Sequence, residues 1–291
     1  MTTDSEGTTP EVPGRGDVPW SGSKWVIPGE YDQPYEGEPE RVLLVGDTHG
    51  DLAWWRHLIQ LADEHQCQGI FQLGDFGIWP GAEGRRYLDA VESSLDAAGL
   101  TGWFVDGNHD DFDQLLALPV GPDGWRPVRP HLFHAPRGHR WSWQGVRFLA
   151  MGGAGSVDVA KRIPGRTWWP QEAITDEDVS RVVAGGPVRV MLTHDAPTRA
   201  RPVPLGETHW ELEGVLPEVL DYCAASQARL QSVVDATKPE LLVHGHWHLF
   251  RDDRLKHGPG NWYRVIGLNC NGATQTAVVL TLPYCFVEEV D

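Results

Sequence analysis

The sequence predicts an α/β fold in which two packed mixed β-sheets are flanked by α-helices. From residue 41 onward, short apolar runs alternate with amphipathic helical segments, a pattern typical of strands covered on both faces. Several of these runs end at a glycine followed by an acidic residue, asparagine or histidine. The composition agrees, because 41% hydrophobic and 22% charged residues in a chain of 291 are typical of a soluble globular protein.

The first part of the predicted domain repeats a strand, a loop and a helix. Leu52, Trp55 and Ile59 recur at helical spacing in the first helix, and each strand is a short apolar run. The predicted strands are 41–46, 69–74 and 102–107, and the predicted helices are 51–66, 82–98 and 111–118.

The second part changes character. Residues 131–151 form short apolar runs separated by turn residues, which favours antiparallel pairs. Residues 261–269 and 275–284 are predicted to pair as a hairpin at the end of the chain. Between these regions we expect strands at 188–194 and 240–246, and a helical region at 210–236 interrupted at Pro217.

Residues 1–40 are predicted to be a flexible acidic extension, and residues 41–291 a single folded domain. The extension contains six prolines, six glycines and nine acidic residues against two basic ones. Such a composition buries too little apolar surface to offset the entropy of ordering. The alternative is an arm that packs on the domain or on a partner through its aromatic residues, Trp20, Trp25, Tyr31 and Tyr35.

The charge balance and the cysteines exclude several classes of protein. With 24 Lys and Arg against 41 Asp and Glu, the net charge of −17 argues against extended nucleic-acid binding. The chain has no apolar run of 18 residues and no signal-peptide pattern, so we expect no membrane partner. Four scattered cysteines without a CxxC pair indicate a reducing compartment, which predicts a cytoplasmic protein.

Aspartate, asparagine and histidine residues follow five of the predicted strands. In open α/β folds the carboxyl ends of neighbouring strands meet at a shared crevice. We therefore expect the following side chains to lie together although they are far apart in the chain: Asp47, His49, Asp75, Asn108, His194, His246 and His248.

These residue types predict a metal centre. Imidazole and carboxylate together suit Mn, Fe, Zn or Ni, and no cysteine of a closed structural zinc site lies nearby. Seven ligands exceed what one cation needs, so we expect two divalent ions that share a bridging carboxylate. Manganese is the first choice, with iron, zinc, nickel or magnesium as alternatives.

The ordered pieces GDTHG, GDFG, GNHD, TH and GHWH resemble the motif set of the calcineurin-like metallophosphoesterase superfamily over roughly residues 41–269. The segment at 152–169 is similar to a bacterial and phage subgroup of unassigned substrate. The resemblance implies a four-layer sandwich and a dinuclear centre that hydrolyses phosphomonoesters or phosphodiesters with a metal-activated hydroxide. It implies that Asp47, His49 and His248 hold one ion, that Asn108, His194 and His246 hold the other, and that Asp75 bridges them.

The same resemblance implies roles beyond the ligands. His109 is expected to contact a phosphoryl oxygen or to protonate the leaving group, and Asp110 to orient His109. Contacts to the phosphoester substrate, a nucleotide among the candidates, are predicted for Asn108, His109, Arg162 and His209. The alternative for Arg162 is a structural pair with an aspartate of its own loop.

One departure from the family pattern narrows the activity. The protein-phosphatase branch has GDxVDRG at the second motif, whereas this chain has Ile78 in place of the second aspartate and lacks the arginine. The resemblance therefore does not extend to Ser/Thr protein phosphatases.

Three alternatives remain at the sequence level. A nuclease or cyclic-nucleotide phosphodiesterase can use the same centre, with a basic track formed by Arg126, Arg129, Arg137, Arg140 and Arg147. An HD-type phosphohydrolase would use the His-Asp pairs at 109–110 and 194–195, but on helices. A non-catalytic, metal-stabilised interaction protein would use the acidic extension as its contact.

Overall fold

The computed structural model describes residues 37–200 and 215–290. The prediction of a flexible extension concerns residues of which 1–36 lie outside the described ranges. The predicted fold class is confirmed, since the described residues form two mixed β-sheets with flanking helices.

Thirteen strands and five α-helices make up the described part of the chain. The strands are β1 (Arg41–Val45), β2 (Gly69–Gln72), β3 (Thr101–Phe104), β4 (Arg126–Arg129), β5 (Leu132–His134), β6 (Arg140–Trp143), β7 (Val146–Met151), β8 (Val190–Thr193), β9 (Leu241–His244), β10 (Arg251–Gly258), β11 (Asn261–Gly267), β12 (Ala277–Thr281) and β13 (Phe286–Val290). The helices are α1 (Leu52–Glu64), α2 (Gly81–Ala98), α3 (Phe112–Ala117), α4 (Asp176–Val183) and α5 (Pro217–Thr237).

Parallel strands occupy the centre of both sheets. The first sheet has the order β13-β12-β1-β2-β3-β5-β4, and the second has the order β10-β11-β9-β8-β7-β6. The pairs β1–β2, β2–β3 and β3–β5 are parallel in the first sheet, as are β11–β9, β9–β8 and β8–β7 in the second. Antiparallel strands lie at both sides of each sheet. Because the central strands of a sheet are parallel to one another, their carboxyl ends lie at the same end of that sheet.

Alternating side chains divide the core into layers. In β1, Val42 and Leu44 pack between the sheets in one cluster with Phe148 of β7. Leu43 and Val45 point the other way and pack against α1 and α2. On the outer face of the second sheet, residues of β7 and β8 pack with α4 and α5. The result is the predicted four-layer arrangement, with helices outside two sheets.

Two of the helices begin at an aspartate cap. Asp51 and Asp111 accept hydrogen bonds from the third residue after them, at the starts of α1 and α3. The predicted helical region 210–236 is described only from residue 215, and its helix begins at Pro217; residues 210–214 lie outside the described ranges. Pro217 occupies the first turn of α5, where its missing N–H needs no partner. No helix within residues 37–200 and 215–290 is long and apolar enough to cross a bilayer.

The hairpin predicted from 261–269 and 275–284 is wrong. The two strands belong to different sheets, because β11 pairs with β9 and β10 while β12 pairs with β1 and β13. Each of the two strands pairs only with neighbours in its own sheet. The sequence pattern did not reveal β10, since most of its residues are charged, exposed positions alternate with half-buried ones, and no apolar run forms.

Packing between the sheets is testable with two phenylalanines. We expect Phe148→Ala to lower the free energy of unfolding by about 3–5 kcal/mol, because Phe148 is fully buried between the sheets. The matched control is Phe286→Ala, at a residue that is 62% exposed, where we expect a change within about 0.5 kcal/mol. Denaturant titration measures both, and equal losses would contradict the assigned core.

Candidate metal centre

The carboxyl ends of five parallel strands carry the seven predicted ligands to one crevice. Each ligand lies one to four residues beyond the end of its strand, in the loop that leaves the sheet edge. The strands and their residues are β1 with Asp47 and His49, β2 with Asp75, β3 with Asn108, β8 with His194, and β9 with His246 and His248.

One group of ligand atoms forms around Asp47. A nitrogen of His49, a nitrogen of His248 and a carboxylate oxygen of Asp47 all lie within 4.8 Å of one another. The Asp47 Oδ2 atom is 3.1 Å from His248 Nε2 and 3.8 Å from His49 Nε2. The carboxylate of Asp47 is buried, whereas both histidines are partly open to solvent.

A second group forms around His194, which is fully buried. Atoms of Asp47, Asp75 and His194 again lie within 4.8 Å of one another. The Nε2 atom of His194 is 3.0 Å from Asn108 Oδ1 and 3.5 Å from Asp75 Oδ1. The ring of His246 has its centroid 4.9 Å from that of His194.

Asp75, a member of the second group, also faces His49 of the first group. Its Oδ2 atom is 3.6 Å from His49 Nε2, and its Oδ1 atom is 3.5 Å from His194 Nε2. The two oxygens of one carboxylate therefore face histidines of different groups. This is the position that a bridging ligand needs.

The donor set fits divalent cations. Two atoms bound to one ion at about 2.1 Å in tetrahedral geometry are about 3.4 Å apart, which is close to the spacing within both groups. The Nδ1 atom of His194 is 2.7 Å from the Leu73 carbonyl oxygen, so Nδ1–H donates and Nε2 faces the crevice with its lone pair. His49 is held in the same way, since its Nδ1 is 2.9 Å from Asn271 Oδ1.

The charged groups of the crevice perturb one another strongly. Burial alone would raise the pKa values of Asp47 and Asp75, yet neighbouring histidines hold both below their usual value. Against the lowering effect of burial, the two carboxylates raise the pKa of His49 to about 9. Burial lowers the pKa of His246 well below its usual value. Without a cation, the carboxylates thus hold protons on neighbouring imidazoles.

The backbone around the crevice is strained. His49, Asp75, His246 and His248 have φ values between 45° and 68°, a left-handed conformation that costs about 1–3 kcal/mol each in non-glycine residues. Hydrogen bonds within the site maintain it: the His49 N–H donates to the Asp75 carbonyl at 2.9 Å, and the His246 N–H donates to Asp47 Oδ1 at 2.8 Å. Strain of this kind concentrates at functional sites.

Two motif glycines permit close approach between the loops. A Cβ atom on Gly74 would lie 2.2 Å from His194 Nδ1, and one on Gly107 would lie 2.1 Å from the Asp75 nitrogen. Any side chain at either position would displace a predicted ligand.

Sequence reasoning missed the residues that orient the ligands. Asn108 donates from Nδ2 to Ser156 Oγ at 3.1 Å, and Ser156 Oγ donates to Glu172 Oε2 at 2.7 Å. The Tyr222 hydroxyl donates to Glu172 Oε1 at 2.9 Å. This series of hydrogen bonds fixes the Asn108 amide so that Oδ1 faces His194. Asn271, Glu172 and Tyr222 lie in turns or on helices without a motif, so no local signal identifies them.

The structure gives Asp110 a different position from the one predicted. Its carboxylate accepts hydrogen bonds from the backbone N–H groups of Gly77, Ile78 and Gly107 at 2.9–3.0 Å, and it fixes the loops instead of orienting His109. Burial, together with the charge of Asp75, raises the pKa of Asp110 to about 7.

The His109 ring lies beside Arg162, and its Nε2 atom is 4.0 Å from Asp75 Oδ2. The Arg162 Nη2 atom contacts both ring nitrogens, and Nη1 donates to the Asn108 carbonyl at 2.9 Å. The Nε atom of Arg162 pairs with Asp158 Oδ1 at 2.7 Å, which is the structural pair weighed as the alternative. Burial and the Arg162 charge lower the pKa of His109, against the effect of Asp75. His209 lies outside the described residues.

The HD-type alternative is wrong, and the basic track expected of a nuclease is absent from the described residues. The HD-type alternative requires helices, but both His-Asp pairs follow strands, β3 and β8. The basic track does not form, because most of its arginines are turned inward. Arg126 and Arg129 are at most 7% exposed, and Arg137 pairs with Asp106 at 2.7 Å.

The comparison with protein families agrees with this site. Residues 40–250 match the model described as calcineurin-like phosphoesterase, and this range contains all seven predicted ligands. None of the curated proteins matches the sequence.

Solved structures share the fold. The chain resembles the protein TT1561 of Thermus thermophilus at 13% identity and a TM-score of 0.51, with 87% of this chain and 99% of that chain covered. It also resembles a dimetal phosphatase from Danio rerio at 14% identity and a TM-score of 0.52, with 84% and 93% covered.

Metal content tests the crevice directly. We expect the chain to retain about two divalent ions per molecule after loading with Mn²⁺ and desalting. Asp75→Asn keeps the shape of the side chain but removes the charge that both groups share, so we expect clearly less metal by elemental analysis. The control is Asp253→Asn, at a half-exposed carboxylate paired with Arg251 on β10. Equal metal content in the three proteins would contradict the assignment.

Proposed function

The chain belongs to the calcineurin-like phosphoesterase family, and on this premise we propose that it hydrolyses a small phosphomonoester or phosphodiester at a dinuclear metal centre. As a member of this family it is a hydrolase that acts on phosphoesters and depends on divalent metal ions. The observation that carries the proposal is the position of Asp75, whose two oxygens face histidines of separate ligand groups.

The proposed ligand assignment follows the two groups of atoms. Asp47, His49 and His248 hold one ion, and Asp75 contributes one oxygen to each. The ligands of the second ion are Asn108, His194 and His246. The partial exposure of His49 and His248 supports this assignment, because it leaves the first ion on the solvent side, where a substrate can reach it.

A pair of divalent ions, when bound, lowers the pKa of a coordinated water and offsets charge on the phosphoryl oxygens. The protein contributes His109 at the open side of the crevice, where the ring is 44% exposed. The Arg162 Nη2 atom lies 2.7 Å from His109 Nδ1; because a guanidinium only donates, Nδ1 accepts, the ring proton is on Nε2, and the nearby cation disfavours a second positive charge on the ring. We therefore assign His109 as a neutral donor to a phosphoryl oxygen, not as the acid that protonates the leaving group.

Arg162 positions the edge of the site. Its contacts with Asp158 and with the Asn108 carbonyl hold the guanidinium against the loop that carries His109. The side chain is only 5% exposed, so its main role is to position His109, and contact with substrate is limited to the Nη2 side. The proposal that His209 lines the pocket concerns a residue outside the described ranges.

The loop after β2 supports a small substrate over a phosphoprotein. Ile78, at the position of the second aspartate in the protein-phosphatase branch, is buried with 2% exposure. Its backbone N–H donates to Asp110 at 3.0 Å, which ties the loop to the body of the domain. No side chain of this loop segment therefore offers a charged clamp for a phosphoresidue.

A nucleotide phosphodiester is the second candidate, and one aromatic residue favours it. Trp79 is 36% exposed, and a Cβ atom on Gly50, the residue after His49, would lie 2.4 Å from its ring. An exposed indole beside the crevice offers a surface on which a nucleobase can stack. Trp169 and Trp247 are buried and offer no such surface.

We propose manganese as the ion and the cytoplasm as the location. Ligation by nitrogen and oxygen donors alone, without sulfur, supports Mn²⁺ among the candidate metals. The four cysteines are unpaired, which supports a reducing compartment. One result would support the non-catalytic alternative, namely bound metal without turnover on any phosphoester.

Loss of His109 should separate chemistry from metal binding. We expect His109→Ala to lower kcat for hydrolysis of p-nitrophenyl phosphate or bis(p-nitrophenyl) phosphate about a hundredfold to a thousandfold, with unchanged metal content. His57→Ala, at an exposed histidine on α1, is the matched control and should retain full activity. Activity equal to the control would exclude the proposed role. No turnover by the fully metallated wild-type protein on either ester would contradict the proposed function.

Loss of Trp79 tests the nucleotide substrate. We expect Trp79→Ala to raise KM for a cyclic nucleotide about tenfold, since stacking on a base contributes about 1–3 kcal/mol. Hydrolysis of glycerol phosphate, which has no ring to stack, should not change. Trp262→Ala, at a tryptophan on β11 that is 51% exposed and packed on Lys256, is the control. Equal effects on both substrates would rule out stacking at Trp79.

A further inference from the structure

A second cavity lies beside α3, β4, β5 and α4, and the proposed metal ligands do not line it. Its volume is about 390 Å³, within the range of small-molecule sites. The apolar part of its lining includes Phe112, Leu115 and Leu116 of α3. The charged part includes Arg126 and Arg137, and the Arg137 guanidinium lies over the Phe112 ring, 5.6 Å from its centroid. A cavity lined by both apolar and cationic side chains is suited to an amphipathic anion.

Arg126 is a buried cation without a carboxylate partner. The residue is 7% exposed, and no carboxylate of residues 37–200 or 215–290 lies within 4.0 Å of its guanidinium. Its Nε donates to the Leu118 carbonyl at 2.8 Å, and its Nη1 is 3.0 Å from His134 Nδ1. Nη2 has no acceptor among the described residues. A buried charge without a carboxylate in contact is costly, and burial lowers the pKa of Arg126, against the raising effect of the Asp106 charge.

His134 and Asp106 do not supply the missing negative charge. Because a guanidinium only donates, His134 Nδ1 must accept from Arg126, and Nε2–H donates to Asp106 Oδ1 at 3.1 Å. His134 is therefore neutral. The other oxygen of Asp106 accepts from Arg137 Nε at 2.9 Å and from Arg137 Nη2 at 2.7 Å. The charge of Asp106 is thus matched by Arg137, and Arg126 is left over.

The remaining charges at the rim are also paired. Asp178 accepts from Arg181 Nη2 at 2.6 Å and lies 3.4 Å from Arg137 Nη1. The lining thus contains three arginines and two aspartates, which leaves one positive charge. One negative charge on a ligand would neutralise the cavity.

We propose that this cavity binds a small organic monocarboxylate. The carboxylate accepts hydrogen bonds from Nη2 and the free N–H of Nη1 on Arg126, a planar arrangement that a guanidinium favours. The apolar body of the ligand lies against Phe112, Leu115 and Leu116. A phosphate fits less well, because its second charge would face Asp106 and Asp178 without a free cation. This site is independent of the proposed hydrolysis.

Phenylacetate is a suitable probe, with phenylacetamide as its uncharged counterpart of the same shape. We expect calorimetric titration of the full, metal-loaded chain to show one phenylacetate bound per molecule. Phenylacetamide should bind at least about tenfold more weakly, since a hydrogen bond to a charged group is worth about 1.5–3 kcal/mol. Inorganic phosphate should not compete with phenylacetate.

Two variants locate the bound probe without altering a buried residue. Leu116→Glu places a carboxylate on the cavity wall at a residue that is 50% exposed, and should weaken phenylacetate binding about tenfold or more. Val120→Glu adds the same charge at a 47% exposed residue that does not line the cavity, and should leave binding unchanged.

Three results would overturn the proposal. The first is no binding of phenylacetate, and the second is equal affinity for the acid and the amide. The third is undiminished binding to Leu116→Glu, which would place the carboxylate at the metal centre. If Arg126→Gln folds, judged by its circular dichroism, it should lose the preference for the acid over the amide.

Discussion

The burial of Asp75 between two groups of histidines is the constraint on which the site depends. The side chain is 2% exposed, and each oxygen faces an imidazole from a different strand end. A buried carboxylate is tolerated only when cations or hydrogen bonds compensate it. The backbone N–H of His109 donates one such hydrogen bond to Asp75 Oδ1 at 2.7 Å. The strained backbone of Asp75 is held in place by the loops packed against it. The loops after β1, β2, β3, β8 and β9 must therefore meet at one point.

Electrostatics explain why an acidic chain suits phosphate chemistry. The formal net charge of −17 would repel an anionic substrate at long range. Within the crevice, however, the carboxylates of Asp47 and Asp75 are the only formal charges in the proposed ligand set. The two divalent ions of the proposed centre would carry four positive charges, more than those carboxylates offset, and the local potential would then favour a phosphoester. The negative net charge of the chain disfavours an extended nucleic-acid surface, in agreement with the inward-facing arginines.

The sequence predicted the parts that depend on local pattern. The seven crevice residues follow strand ends in short motifs, and periodicity predicted α1, α2 and α3 within two residues of each boundary. Local pattern could not predict how strands distant in the sequence pair, because burial between the sheets decides the partner of β12. The roles of Asn271 and Asp110 depend on the directions of side chains across loops distant in the chain. The charge balance of Arg126 likewise required knowing which carboxylates lie near it.

Anomalous diffraction from crystals of the Mn²⁺-loaded protein would test the central claim most directly. The account predicts two anomalous peaks about 3.5–4 Å apart, one between Asp47, His49 and His248 and the other between Asn108, His194 and His246. The Asp75 carboxylate should contact both peaks, one oxygen to each. A single peak, or two peaks that Asp75 does not bridge, would contradict it.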